Sequence, residues 1–260
     1  MQSKPIHLAV SGTYSTGKTT TTEALSIATG IRRTHAMTLR EILMEMRPGR
    51  QLEELSAGEL MMVGLRRLEE RIHHEAEAIG REGSFVCDGS VLHEWVYGEA
   101  RMRAGINPGA GSLQRTYKAI VGLPFKKFYQ TYMDACGAVA KDRAKRIYDA
   151  YVHLPVEFNL VEDGHRPVSE KFRRLSDQML LETLDELKIP YHVVGGTRLE
   201  RVQRVVDIFD LPLVVPVDEA VELAEERVAK ARAVLEEDYR YHANQRKKSF
   251  WRRMRYALRY

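Results

Sequence analysis

Eight consecutive residues, Gly12-Thr13-Tyr14-Ser15-Thr16-Gly17-Lys18-Thr19, fit the pattern G-x-x-x-x-G-K-[ST] without a mismatch. These residue types suit the holding of a polyphosphate. Glycines let the main chain wrap an anion closely, and a helix start offers orphan N–H donors and a positive dipole end. Lys18 is placed to reach the β- and γ-phosphates, and Thr19 to give its hydroxyl to Mg²⁺. With Thr20 added, the candidate nucleotide-binding residues are Gly12, Thr13, Tyr14, Ser15, Thr16, Gly17, Lys18, Thr19 and Thr20. An acid is needed nearby, and Asp88 closes the apolar run Phe85-Val86-Cys87. The C-terminal end of a parallel strand is where ligands bind. Asp88 is therefore a candidate to share the metal with Thr19 or to accept a hydroxyl proton. Asp88 or Ser90 could equally cap the helix that follows, and capping is compatible with catalysis.

The elements that must position these groups follow from apolar periodicity. Ile6 to Val10 has strand length, and Thr20 to Ala28 continues the loop as a helix. Ile31 to His35 reads as a short second strand. Leu39 to Met46 is helical and stops at Pro48-Gly49. A longer helix is predicted from about Leu52 to Ile79, with Leu60, Val63, Leu65, Leu68, Ile72, Ala76 and Ile79 on its apolar face. His73 and His74 beside Glu69, Glu70, Glu75 and Glu77 read as a solvated face rather than a metal site, because adjacent positions do not share a helix face. Val91 to Tyr97 is helical. Gly98 to Pro124, rich in Gly, Pro and Arg, is predicted to be an irregular connection, and Trp95, Tyr97, Arg101 and Arg103 at its entrance offer rings and charge to a substrate. Phe125 to Ile147 returns to helix, Ala150 to Leu154 to strand, Ser169 to Leu187 to helix and Ile189 to Val194 to strand. Strands alternating with helices predict a three-layer α/β sandwich around a mainly parallel five-stranded sheet.

The chain has 260 residues, 44% of them hydrophobic and 29% charged, the composition of a folded α/β domain with appendages. Two cysteines, Cys87 and Cys136, make neither a disulfide framework nor a metal-binding set, so a reducing, cytoplasmic location is expected. Met1 to Lys4 passes straight into the first strand, so no signal peptide is expected, and no apolar run approaches about 18 residues. The net charge of +4 is uneven. Residues 239–260 hold eight basic and no acidic side chains, so the rest sums to −4, the difference between +4 and +8.

Pro212 and Pro216 bracket a connector, which divides residues 1–211 from a C-terminal extension, 212–260. In the extension Val217, Val221, Ala224, Val228, Ala231 and Leu235 form a heptad-like seam, suited to docking on the body or to pairing two subunits. Cations and rings interleave in Tyr239-Arg240-Tyr241 and again from Arg246 to Tyr256. Such a tail suits an anionic membrane surface, nucleic acid, or a solvated helix end over the acidic body.

Three separated blocks, GTYSTGKTT at Gly12 to Thr20, FVCDGS at Phe85 to Ser90 and the run Tyr148 to Val194 with YDAYVHLPVEF, EDGHRP and KIPYHVV, carry a family likeness. Over roughly residues 5–208 the chain resembles the NadR-type and related P-loop kinases, a group that includes the ribosylnicotinamide kinase domain and AAA-ATPase-like small kinases. The resemblance implies a P-loop NTPase sandwich with a lid at about residues 155–168. In it Arg166 would close on the transferred phosphoryl group and Asp163 would position the lid. A mobile guanidinium stabilising charge in a water-poor site is sound electrostatics in its own right. Two positions depart from the group: Gly89 follows Asp88 where relatives have an arginine, and Met37 stands where an acid would precede Arg40. The acceptor therefore does not transfer.

Together these readings predict a kinase in which Lys18, Asp88 and Arg166 act on ATP or GTP with Mg²⁺ and a small nucleoside-like acceptor. The alternative is a regulatory NTPase whose nucleotide state acts on a partner through the C-terminal tail.

Overall fold

The computed structural model describes residues 4–47, 50, 55–104, 126–157 and 170–245. Five parallel strands, β1 (His7–Ser11), β2 (Arg33–Thr34), β3 (Phe85–Asp88), β4 (Ala150–His153) and β5 (Tyr191–Val193), lie in the order β2-β3-β1-β4-β5. Strand periodicity divides the core. Leu8, Val10, Val86, Ala150 and Val152 face one layer, while Ala9, Phe85, Cys87 and Tyr151 face the other. The first layer holds α1 (Lys18–Thr29), α7 (Arg198–Phe209) and α8 (Val217–Gln245). The opposite layer holds α3 (Ala57–Arg81), α4 (Val91–Ala104), α5 (Lys126–Ile147) and α6 (Glu170–Leu187). A short α2 (Leu39–Met46) packs on α3 through Ile42, Leu43, Leu55 and Val63. The predicted three-layer sandwich with a C-terminal helical extension is thus the observed architecture. From β1 the chain crosses to β2 and β3 on one side and later to β4 and β5 on the other, which leaves a crevice at the strands' C-terminal ends.

Three predicted features are corrected. Helix α3 starts at Ala57 rather than about Leu52, because Ser56 and Glu59 form a reciprocal capping box. Its inner face is also rotated. Leu65 and Ala76 are exposed, and the buried positions after Val63 are Arg71, Glu75 and Ala78. Helix α4 runs through Gly98 to Ala104 instead of ending at Tyr97. Gly98 serves close packing there, since a Cβ on it would lie 2.5 Å from Met133 Cε of α5, and one on Gly137 would lie 2.7 Å from Trp95 Nε1. The Gly98 to Pro124 connection otherwise lies outside the described residues, as do Asp163, Arg166 and residues 246–260 of the basic tail.

The seam of α8 docks on the body over its first half. Val217, Val221, Ala224 and Val228 are buried, whereas Ala231 is exposed. Among the described residues no helix is long and apolar enough to cross a membrane.

Candidate active site

The loop between β1 and α1 has the backbone the motif requires. Gly12 sits at φ +132°, and a Cβ there would lie 2.6 Å from Leu154 O and 2.9 Å from Thr16 Oγ1. Gly12→Ala is therefore expected to cost about 1–3 kcal/mol and to displace the loop, read as a lower urea midpoint together with weaker nucleotide binding. An unchanged midpoint and affinity would contradict that geometry. Inside the loop Thr16 Oγ1 donates to Thr13 O at 3.0 Å and Lys18 Nζ to Thr13 O at 2.6 Å. From outside, Arg201 of α7 donates to Thr16 O at 2.6 Å and to Glu157 Oε2 at 2.6 Å. Glu157 also accepts from Gly196 N, which ties the chain beyond β4 to the loop.

Asp88 lies where the sequence placed it, at the end of β3 beside Thr19. Burial alone would raise its pKa. Arg33 foremost, then Lys18, a hydrogen bond from the Thr19 hydroxyl and Arg71, outweigh burial and hold the carboxyl below its usual range. Arg33 bridges Asp88 Oδ2 at 3.3 Å and Glu23 Oε2 at 2.8 Å, and Glu23 in turn pairs with Arg227 of α8 at 3.1 Å. The Thr19 hydroxyl and the Asp88 carboxylate lie within hydrogen-bond reach of each other, and such a pair fits a Mg²⁺ ion carried by a triphosphate. Because the folded pKa is depressed, ionised Asp88 stabilises the fold above the unfolded value of about 4, and this contribution is lost as pH falls through the folded pKa. Asp88→Asn should show a smaller acid-induced drop in melting temperature than wild type. It should also lower Mg²⁺-dependent turnover on the order of 10²-fold. Equal acid sensitivity in thermal melts would refute the assignment of the ionised form.

Behind Asp88 lies a buried ionic network that the sequence did not reveal. Arg71, 2% exposed, donates to Cys87 Sγ at 2.9 Å, Asp88 O at 3.1 Å and Glu94 Oε1 at 2.9 Å. Glu94 also pairs with Arg67 at 3.2 Å. Glu75, fully buried, accepts from Tyr148 OH at 2.5 Å and Arg143 at 2.9 Å. Burial pushes the Cys87 thiol up to about 12 against the opposing pull of Arg71, which removes Cys87 as a nucleophile. His153 at the end of β4 approaches Ser11 Oγ at 3.1 Å and Asp177 Oδ1 at 3.6 Å. On the first turn of α6, Arg173 is fully buried, and it is the described arginine that follows most closely on the predicted lid.

A cavity of about 150 Å³ opens next to the loop. Leu60, Met61 and Leu68 of α3, Trp95, Tyr97 and Met102 of α4, and Tyr129, Tyr132 and Met133 of α5 line it, with Arg67, Glu94 and Arg101 as its charged groups. Tyr14 joins cavity to loop, since it lines the one, belongs to the other, and stacks on Tyr97 with ring centroids 4.8 Å apart. Of the entrance residues named from sequence, Trp95, Tyr97 and Arg101 converge here, while Arg103 pairs with Glu99. His73 and His74 stand apart, and no group of His, Cys, Asp and Glu among the described residues could hold a metal on its own.

A family profile described as an AAA domain matches residues 7–201. The chain belongs to the AAA domain family. Among solved structures, this AAA domain is similar to a deoxyadenosine kinase from M. mycoides with bound dATP, at TM-score 0.55 and 13% identity over 79% of this chain and 100% of that one. The same M. mycoides kinase with bound dCTP gives TM-score 0.50 and 12% identity over 79% and 99%. At these identities the likeness is one of fold, a P-loop NTPase sandwich. Among curated proteins none matches the sequence.

Proposed function

We propose that this AAA domain is a NadR-type small-molecule kinase that transfers the γ-phosphoryl group of ATP, or of GTP, to a hydroxyl of a neutral nucleoside-like metabolite. The observation that carries the reading is the cavity that shares Tyr14 with the phosphate loop. A hydrolase needs only water beside its triphosphate, whereas a kinase needs room for a second organic body, and apolar walls with a few polar groups are what such a body requires. The M. mycoides neighbours are nucleoside kinases, which makes nucleosides the first acceptors to try.

In the reaction the acceptor oxygen bonds to the γ-phosphorus, the β–γ bridging P–O bond breaks, and ADP leaves with the acceptor proton lost to solvent or a nearby carboxylate. Catalysis of this kind is mostly positioning and electrostatics. Lys18 and the loop amides hold the triphosphate, Thr19 and Asp88 would hold Mg²⁺, and Arg166 of the lid is the proposed charge stabiliser. Mg²⁺ supplies neutralisation of phosphate charge when bound. Asp88 stands with Thr19 at the proposed metal position and does not line the cavity, so Glu94, held on the cavity wall by Arg67 and Arg71, is the carboxylate placed to orient an acceptor hydroxyl. The test is ADP formation with a panel of nucleosides and related metabolites. The expected result is acceptor-dependent turnover above a slow hydrolytic background, and hydrolysis indifferent to every acceptor would defeat the proposal.

One observation favours the regulatory reading. The pairs Arg227–Glu23, Glu23–Arg33 and Arg33–Asp88 link the C-terminal helix to the proposed metal position. If that link governs activity, hydrolysis should respond to liposomes or RNA, and deleting residues 239–260 should abolish the response. A kinase indifferent to its tail should keep most of its turnover.

A further inference from the structure

His93 lies on the first turn of α4 and is 3% exposed. Its Nδ1 is 3.0 Å from the Ser90 backbone nitrogen. A backbone N–H can only donate, so Nδ1 accepts and the neutral ring carries its proton on Nε2. Burial foremost, then the charges of Lys18, Arg71 and His153, hold the ring well below the ordinary imidazole range, which keeps it neutral near pH 7. Nε2 is buried and completes no hydrogen bond with any described residue. The Gly12 backbone is a hydrogen-bonding neighbour of the ring and favours its protonated form against burial. One edge is turned back to Ser90, the Lys18 ammonium and the Gly12 backbone both act on the ring, and Tyr97 of the cavity wall packs edge-on at 5.9 Å. Buried donors are rarely left unmet, and one beside a phosphate-binding lysine points to an anionic oxygen as its acceptor.

We propose that His93 Nε2–H hydrogen-bonds the terminal phosphate of a triphosphate held by the Gly12–Thr19 loop, and so makes the site select a triphosphate over a diphosphate. The assignment rests on the reading of that loop as a nucleoside triphosphate site. A neutral donor suits the position, because it adds a bond to phosphate without a third cation beside Lys18 and Arg71. His93 is then a binding residue for the donor nucleotide, whatever the acceptor.

Two near-isosteres separate this role from a structural one. His93→Asn places an amide oxygen where Nδ1 accepts from Ser90 and deletes the distal donor. His93→Gln keeps a distal N–H and gives up the bond to Ser90. Calorimetric titration with Mg²⁺ and either ADP or the non-hydrolysable triphosphate AMPPNP reads the difference without any acceptor. In H93N, AMPPNP affinity is expected to fall about tenfold or more while ADP affinity holds within about twofold, and H93Q should keep the wild-type ratio. An unchanged AMPPNP-to-ADP ratio in H93N, or an equal loss for both nucleotides, overturns the proposal. If H93N melts below the assay temperature, H93Q decides alone: a wild-type ratio supports the assignment and a collapsed one overturns it. A wild-type protein that binds neither nucleotide overturns the loop reading itself, and the His93 assignment with it.

Discussion

Lys18→Ala is expected to lower nucleotide turnover by on the order of 10²–10³-fold while leaving the fold intact. The loop's shape does not depend on this ammonium. Gly12 sets the tight approach to Leu154, Thr16 Oγ1 closes the turn on Thr13 O, and Arg201 holds Thr16 O from α7. Lys18 Nζ donates to Thr13 O, a contact a triphosphate would replace with stronger charge-assisted bonds. The substitution thus removes the cation beside the transferred group and little else. Circular dichroism and melting temperature should match wild type while ADP release and triphosphate binding collapse. Activity within error of wild type would end the reading of this loop as the donor site.

The largest effect on stability is expected from Arg71→Ala. The guanidinium ties strand β3 to helix α4 through Cys87 Sγ, Asp88 O and Glu94. Removing it leaves Glu94 nearly buried with Arg67 as its remaining cation among the described residues and opens a void behind Asp88. Breaking one side of a buried ion pair costs about 3–5 kcal/mol, which for a chain of this size corresponds to a fall on the order of 10 °C in melting temperature. Turnover should fall as well, since Asp88 and the Glu94 wall of the cavity lose a shared anchor. A second variant, Arg71→Met, keeps volume without charge. If it melts close to wild type, the network is replaceable by apolar packing and the ionic account is wrong.

The sequence disclosed those parts of the protein whose chemistry is contiguous. Eight adjacent residues spell the phosphate loop, and the runs Leu8-Ala9-Val10, Phe85-Val86-Cys87 and Ala150-Tyr151-Val152 announce strands, because a strand buried on both faces is apolar throughout. Asp88 followed from its place at a strand end. The ionic core was not legible in the same way. Arg71 and Glu75 look like solvated helix charges until Glu94, Arg143 and Tyr148 are brought in from 23, 68 and 73 positions away. Arg201 reaches Thr16 across 185 positions, with no local signal to announce it. The spacing of Arg71, Glu75 and Ala78 matches the buried stripe of α3, but a pattern that scores only apolar residues rotates the helix past it. Gly98 was read as a breaker because the sequence could not show Met133 lying against it. The candidate acceptor cavity is tertiary from the outset, assembled by three helices that the chain visits in turn.

The two walls of that cavity differ in how freely they can drift over generations. On the α4–α5 side, any side chain larger than hydrogen at Gly137 runs into the rigid indole of Trp95, so variation there costs folding, while at Gly98 the flexible end of Met133 must move aside. On the α3 side, a Cβ at Gly64 would meet nothing within 4 Å. The α4–α5 wall is therefore expected to vary less than the α3 wall, and a change of metabolite should be written first around Gly64 and its neighbours Leu60, Met61 and Leu68.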